Sequence, residues 1–372
     1  MKNKIYISQP ALPPLEEFIP YLRKIWGSKI LTNNGAYHQQ LEVELCKYLG
    51  VKFISLFCNG TMALITALKA LNLKGEIITS PYSFVGTSHA LLWGDLQPVF
   101  VDIEPDFYTL DPEKIEDAIT PLTSAILPVH VYGNPCKVKE IQKVADKHGL
   151  KVIYDACHTF GVKADSIPLL NFGDLSVMSF HATKVFTTFE GGAIICNDED
   201  MKRQIDRMKN FGFVNQTSVI ATGINAKMNE LQAAMGLLQL QKIDTAIFKR
   251  KLIAELYRKK LRLVQGIRFL DDMPDTSHCY SYFPIFVNKE KYGISRDELF
   301  EKLKTFNIYC RRYFYPLISQ LPMYRDLESS QPENLPVAEK TTQEVICLPI
   351  YPDLEFEDII RISEIVHQSK TV

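Results

Sequence analysis

Between residues 50 and 200 the chain alternates short β-branched, apolar runs with stretches of helical periodicity. That rhythm is met by parallel strands joined through crossover helices. The spacing predicts strands over 53–57, 76–79, 98–102, 125–131, 152–155, 175–180 and 193–196. A helix is expected over 60–73, where Leu64, Ala67, Leu68 and Leu71 share a face, and another over 138–148, stopped by Gly149. Pro112 marks a first turn ahead of EKIEDAI.

Beyond residue 225 the pattern changes to two long helical stretches rich in strong helix formers, KMNELQAAMGLLQLQKID and AIFKRKLIAELYRKKLRLV. A strand at 281–287, an amphipathic stretch at 296–304 and a final helix near 356–368 follow. A chain of 372 residues exceeds one small domain. The expected fold class is therefore α/β, with a large unit over 1–245 built on a mostly parallel sheet with flanking helices. A smaller α+β unit is expected over 246–372.

Apolar residues at 46% and charged residues at 23% are the balance of a globular protein. The net charge of -1 gives no overall field for nucleic acid or an anionic membrane, so neither is an expected partner. No run of about 18 apolar residues suggests a span, and the opening lacks an export signal's apolar core. The eight cysteines have no regular spacing and read as reduced thiols of a cytoplasmic protein. Cys136, Cys157, His130 and His158 lack the close pairing of a zinc site, and no metal is expected.

The segment carrying most chemistry is SFHATKVFTTFEGGAIIC, 179–196, which holds Lys184 in an irregular stretch between two strands. A desolvated lysine amine attacks carbonyl carbon readily, although a lone loop lysine is ordinarily solvated. Asp155 changes that balance. It closes the apolar run KVIY at the carboxyl end of a parallel strand, where open α/β sheets bind ligands, and a carboxylate there can face a protonated ring nitrogen.

In FISLFCNGTMALITALKAL a strand, a small-residue turn and a helix follow one another, so the amides of Gly60, Thr61 and Met62 point out of a helix N-terminus suited to phosphate. Asn59 or Thr61 could equally cap that helix. Phe84 is placed to lie on a flat ring, His158 to contact it, and Ser179 to donate to phosphate; each also has an ordinary packing role.

The residues NGT (59–61), Asp155 with His158, SFHATK (179–184), EGG (190–192) and NAKMNELQAA (225–234) together resemble the DegT/StrS sugar aminotransferases, fold-type I pyridoxal enzymes. The resemblance covers most of the chain, and its SFHATK-to-EGG element is the specific part. QPALPPLEEF, LTNNG and FHATKVF are most similar to the branch forming dTDP-4-amino-4,6-dideoxyglucose.

The resemblance implies pyridoxal 5'-phosphate (PLP, alternating with its amine form PMP) as cofactor, with L-glutamate and a dTDP-linked 4-keto-6-deoxyhexose as substrates. It implies that Lys184 holds the cofactor and moves a proton, and that Asp155 pairs with the ring nitrogen. Gly60, Thr61 and Ser179 would take the phosphate, and Phe84 and His158 the ring. Asn225 would reach the phosphate of a neighbouring subunit in a homodimer, and the product would serve lipopolysaccharide O-antigen.

There are departures from the family pattern. Tyr154 and Cys157 flank Asp155 where an acidic residue and alanine are common, and Lys227 replaces an arginine. In RRYFYPLISQLPMY (311–324) the histidine many members carry after Pro-Leu is absent. Arg311, Arg312 and Tyr315 remain candidates for the nucleotide diphosphate. Rival readings are a 3-keto-sugar aminotransferase, a pyridoxamine-dependent sugar dehydratase (whose pattern has histidine where Lys184 stands) and a regulatory protein that kept the fold.

Overall fold

The computed structural model describes residues 4–371. Seven short strands form its main sheet: β1 (Phe53–Phe57), β2 (Glu76–Thr79), β3 (Gln97–Phe100), β4 (Thr123–Leu127), β5 (Lys151–Asp155), β6 (Leu175–Ser179) and β7 (Gly192–Cys196). They lie in the order β1-β7-β6-β5-β4-β2-β3. All run parallel except β7, which is antiparallel to both neighbours.

Both faces of this sheet are covered, which is why its strands are continuously apolar. Ile153 and Val177 pack under helix Gly60–Ala70 with Leu64 and Ala67. Val152 and Tyr154 turn to the opposite face, against Val138, Ile141 and Ala145 of helix Val138–His148. That second helix ends at Gly149 in the left-handed conformation, φ 66°.

Two expectations change. The stretch after Pro112 forms two 3₁₀ turns, Pro112–Lys114 and Glu116–Ala118, instead of an α-helix. Few residues separate Pro112 from Pro121, so the nucleation cost of an α-helix is not recovered. The two late helical stretches are one 32-residue helix, Glu230–Leu261, opened by an Asn229/Gln232 capping box.

Its first half packs Ala233 and Leu237 against the main sheet's core. Its second half packs Ile253, Tyr257 and Leu261 into a separate C-terminal core. That core covers a three-stranded antiparallel sheet, with Phe283–Val287 between Ile267–Phe269 and Val345–Leu348. Helices Arg296–Thr305 and Phe356–Gln368 contribute Leu299, Leu303, Ile359 and Ile362. Ile5–Tyr6 pairs in parallel with Ile308–Tyr309, so the first described residues lie with the C-terminal half. No helix among the described residues is long and apolar enough to cross a membrane.

Candidate active site

The carboxyl ends of the parallel strands open onto a cavity of about 570 Å³. Asp155, the last residue of β5 and 7% exposed, lines it. Its Oδ1 accepts from Cys157 N–H at 3.2 Å and its Oδ2 from the Thr87 hydroxyl at 2.7 Å. Neither donor carries charge, and among the described residues the carboxylate makes no ion pair.

Lys184 lines the same cavity from the irregular segment after β6, where its amide N–H donates to His181 O at 2.9 Å. Among the described residues its amine makes no ion pair. Burial, reinforced by the Lys184 charge, holds the His158 imidazole well below its ordinary range, so this ring is neutral. Burial beside the Asp155 carboxylate pushes the Cys157 thiol up, which leaves it protonated and inert.

The helix Gly60–Ala70 starts at the cavity wall. Asn59 Oδ1 accepts from Met62 N–H at 2.9 Å. The Met62 amide expected to meet phosphate is therefore spent on capping, and Gly60 and Thr61 keep the outward-facing amides of the first turn. A Cβ at Gly60 would fall 2.9 Å from Ser179 Cβ, and one at Gly192 would fall 2.6 Å from the Asn59 carbonyl. Glycines at these two places let Ser179 and the helix start converge on one spot.

His158 stacks on Phe314 at 6.2 Å, and its Nε2 lies 3.3 Å from the Tyr282 hydroxyl. Its Nδ1 is buried with no partner among the described residues. Phe84 is 60% exposed at the cavity rim, and a Cβ at Gly86 would sit 3.2 Å from its ring.

Lys184, Asp155, Gly60, Thr61, Met62, Phe84, His158 and Ser179 thus share one cavity. The other candidates lie elsewhere. Asn225 does not line it, and its Oδ1 accepts from Lys227 at 2.8 Å. Arg312 is held by Asp297 at 2.6 Å and stacks over Tyr315 and Phe300, while Arg311 pairs through its backbone with Cys347. Arg311, Arg312 and Tyr315 are outside the cavity, and the turn between them presents Tyr313 and Phe314 to it instead.

Those two residues, with Tyr282, form an aromatic wall that sequence reasoning did not find. The Tyr132 hydroxyl donates to the Tyr313 carbonyl and accepts from the Tyr82 hydroxyl, fastening this wall to the loops that follow the large sheet's strands. His181 and Glu190 also line the cavity, 3.6 Å apart.

These residues fit pyridoxal phosphate. A helix start with two free amides suits a phosphate, a neutral histidine with an orphaned nitrogen and an exposed phenyl ring suit a pyridine, a carboxylate with no cationic donor suits a ring N–H, and an unpaired amine suits an aldehyde. Among the described residues no cluster of His, Cys, Asp and Glu is placed to hold a metal ion.

The chain matches the DegT/DnrJ/EryC1/StrS aminotransferase family model over residues 15–367. It is 54% identical over 364 residues to an Escherichia coli dTDP-4-amino-4,6-dideoxy-D-glucose transaminase, covering 97% of this chain and 98% of that one. Its fold superposes on DesI, solved in the presence of its TDP-sugar product, with a TM-score of 0.94 and 33% identity over 99% of this chain and 93% of that one. A third match is the ntda protein of Bacillus subtilis with bound cofactor PMP, at TM-score 0.87 and 30% identity over 99% and 86% of the two chains.

Proposed function

The chain belongs to the DegT/DnrJ/EryC1/StrS aminotransferase family, and from that premise we propose that it transfers the amino group of L-glutamate to C4 of dTDP-4-keto-6-deoxy-D-glucose, forming dTDP-4-amino-4,6-dideoxy-D-glucose. Its cofactor is pyridoxal phosphate. The observation that carries the proposal is the convergence of the Lys184 amine, the Asp155 carboxylate and the Gly60–Thr61 helix start on one cavity.

When bound, the cofactor supplies an electron sink that makes a hydrogen on the amine-bearing carbon acidic. The chain's own groups do the rest. Lys184 would carry the proton from Cα of glutamate to the cofactor and, in the second half-reaction, from the cofactor to C4 of the sugar. Asp155 receives the ring N–H and keeps that nitrogen protonated. Gly60, Thr61 and Ser179 hold the phosphate, which fixes the ring's depth. Phe84 and neutral His158 would hold its ring, while Tyr282, Tyr313 and Phe314 wall the cavity and would exclude water from it.

We place the enzyme in the cytoplasm as a homodimer, in the synthesis of a sugar for lipopolysaccharide O-antigen. Asn225 would reach across to the partner's cofactor phosphate. Support for a pair is that Asn225 stands apart from its own chain's cavity, in a segment whose Phe211, Val214, Val219 and Ile220 are exposed. The division into units 1–245 and 246–372 is part of the same reading, with helix Glu230–Leu261 running between them.

NMR of the product from glutamate and dTDP-4-keto-6-deoxy-D-glucose tests the assignment. A 4-amino-4,6-dideoxyglucose product is expected. Amination only of the 3-keto isomer would replace it with the 3-keto reading, and loss of an oxygen without amination would replace it with the dehydratase.

A further inference from the structure

Both oxygens of the Asp155 carboxylate are already engaged by the protein, and one of the two donors comes from 68 residues away in sequence. Thr87 Oγ1, which meets Oδ2 at 2.7 Å, lies 2.9 Å from the Ser83 hydroxyl. All three side chains are buried. Ser83 precedes Phe84 in the loop after β2, and Thr87 is the second residue of helix Gly86–Trp93, which that loop leads into. The segment crosses over β4 to reach β5, where Asp155 ends the strand.

The hydrogen bonds have one direction. A carboxylate that receives a ring N–H can only accept, so the single Thr87 proton is committed to Asp155. The Thr87 oxygen then accepts, and the Ser83 proton is committed to it. Threonine inside a helix commonly turns its hydroxyl to the carbonyl one turn earlier. Thr66 does so, bonding Met62 O at 2.8 Å. Thr87 instead sends its hydroxyl out of its helix to the aspartate.

We propose that Ser83 and Thr87 are positioning residues for the transamination, a directed pair of hydroxyls running Ser83 to Thr87 to Asp155 that aims the carboxylate's remaining lone pairs at the cofactor's ring nitrogen. The inference rests on the reading of the cavity as a pyridoxal phosphate site. It gives the 83–87 segment two tasks: Phe84 sets the plane of the ring, and its neighbours set the group that meets the ring's edge. Ring plane and nitrogen partner are therefore coupled through five residues.

Thr87→Val keeps the shape of the side chain and removes the donor. Hydrogen bonds to charged groups are worth enough that pyridoxal phosphate binding is expected to weaken by about 10- to 100-fold. The visible absorbance band of the holoenzyme should shift, and kcat should fall while KM for both substrates stays within about two-fold. The melting temperature of the cofactor-free protein should stay within about 2 °C of the parent. Thr87→Ser should restore affinity and band.

A Thr87→Val protein with the parent's affinity and spectrum overturns the proposal. So does one whose cofactor-free form melts much earlier while the band is unmoved. Should Thr87→Val fail to fold, Ser83→Ala reads the same relay one step further out, with an expected loss of about 3-fold in affinity; an unchanged affinity and band overturns the proposal there too. A parent protein that takes up no pyridoxal phosphate defeats the cofactor reading itself. A parent that binds it while Thr87→Val binds equally defeats only the relay.

Discussion

His278 shows how far burial has shaped individual side chains. Its Nδ1 accepts the Tyr280 amide at 2.8 Å, and burial holds its pKa down at about 4. Between pH 6.5 and about 4 the unfolded chain therefore binds a proton the folded chain refuses. The stability from this ring is fully present above 6.5 and declines as pH falls through that window, by at most about 1.4 kcal/mol per pH unit. Denaturant unfolding at pH 7.5, 6 and 5 should show that slope, and His278→Gln should flatten it by about one proton; an unaltered slope in the variant contradicts the assignment. At the site, Asp155→Asn keeps shape and loses charge, so kcat is expected to drop by at least about 100-fold with the fold retained. Near-parent turnover would remove Asp155 from the mechanism. Lys184, Asp155 and the NGT turn were legible because each sits at a strand end or helix start whose local pattern is strong. Tyr282, Tyr313 and Phe314 were not, because nothing local distinguishes a cavity-facing aromatic from a core one.

At the scale of elements, ends decide more than middles. Helix Ala36–Leu49 has no capping side chain of its own at Gly35; Glu230 supplies the cap from the start of the long helix, accepting the Tyr37 and His38 amides at 2.9 Å each. Glu230→Ala leaves one buried and one half-buried donor unpaired and should cost about 2 kcal/mol in urea unfolding, with the cofactor band unmoved. A loss below about 0.5 kcal/mol would show that water replaces the cap. Gly60→Ala is the converse case. Its Cβ would fall 2.9 Å from Ser179 Cβ, so cofactor affinity should fall by about 10-fold or more in equilibrium titration, with a crowding cost of about 1–3 kcal/mol in stability beside it. The strands of the main sheet were readable to within a few residues because burial on both faces writes a continuous apolar run. The turns after Pro112 and the unbroken 32-residue helix were misjudged because periodicity alone does not say whether a helix can nucleate or where it stops.

Over the whole molecule, the site draws on parts of the chain far apart in sequence. Segments near residues 60, 84, 155 and 184 come together at the sheet's carboxyl edge, and the aromatic wall arrives from beyond residue 280. The order of the first four along the chain made the fold class readable. The position of Arg311, Arg312 and Tyr315 outside the cavity was not readable, because it depends on how an irregular turn aims consecutive side chains. If Asn225 serves the partner's site, mixing Lys184→Ala with Asn225→Ala protein should yield dimers with one intact site, restoring about one quarter of parental activity after random exchange. No recovery would confine Asn225 to its own subunit. The most direct measurement of the account as a whole is borohydride reduction of the cofactor-loaded protein followed by mass mapping of its peptides. One pyridoxyl group per chain, on the peptide containing Lys184, is the predicted result; a label on another lysine, or none, would contradict it.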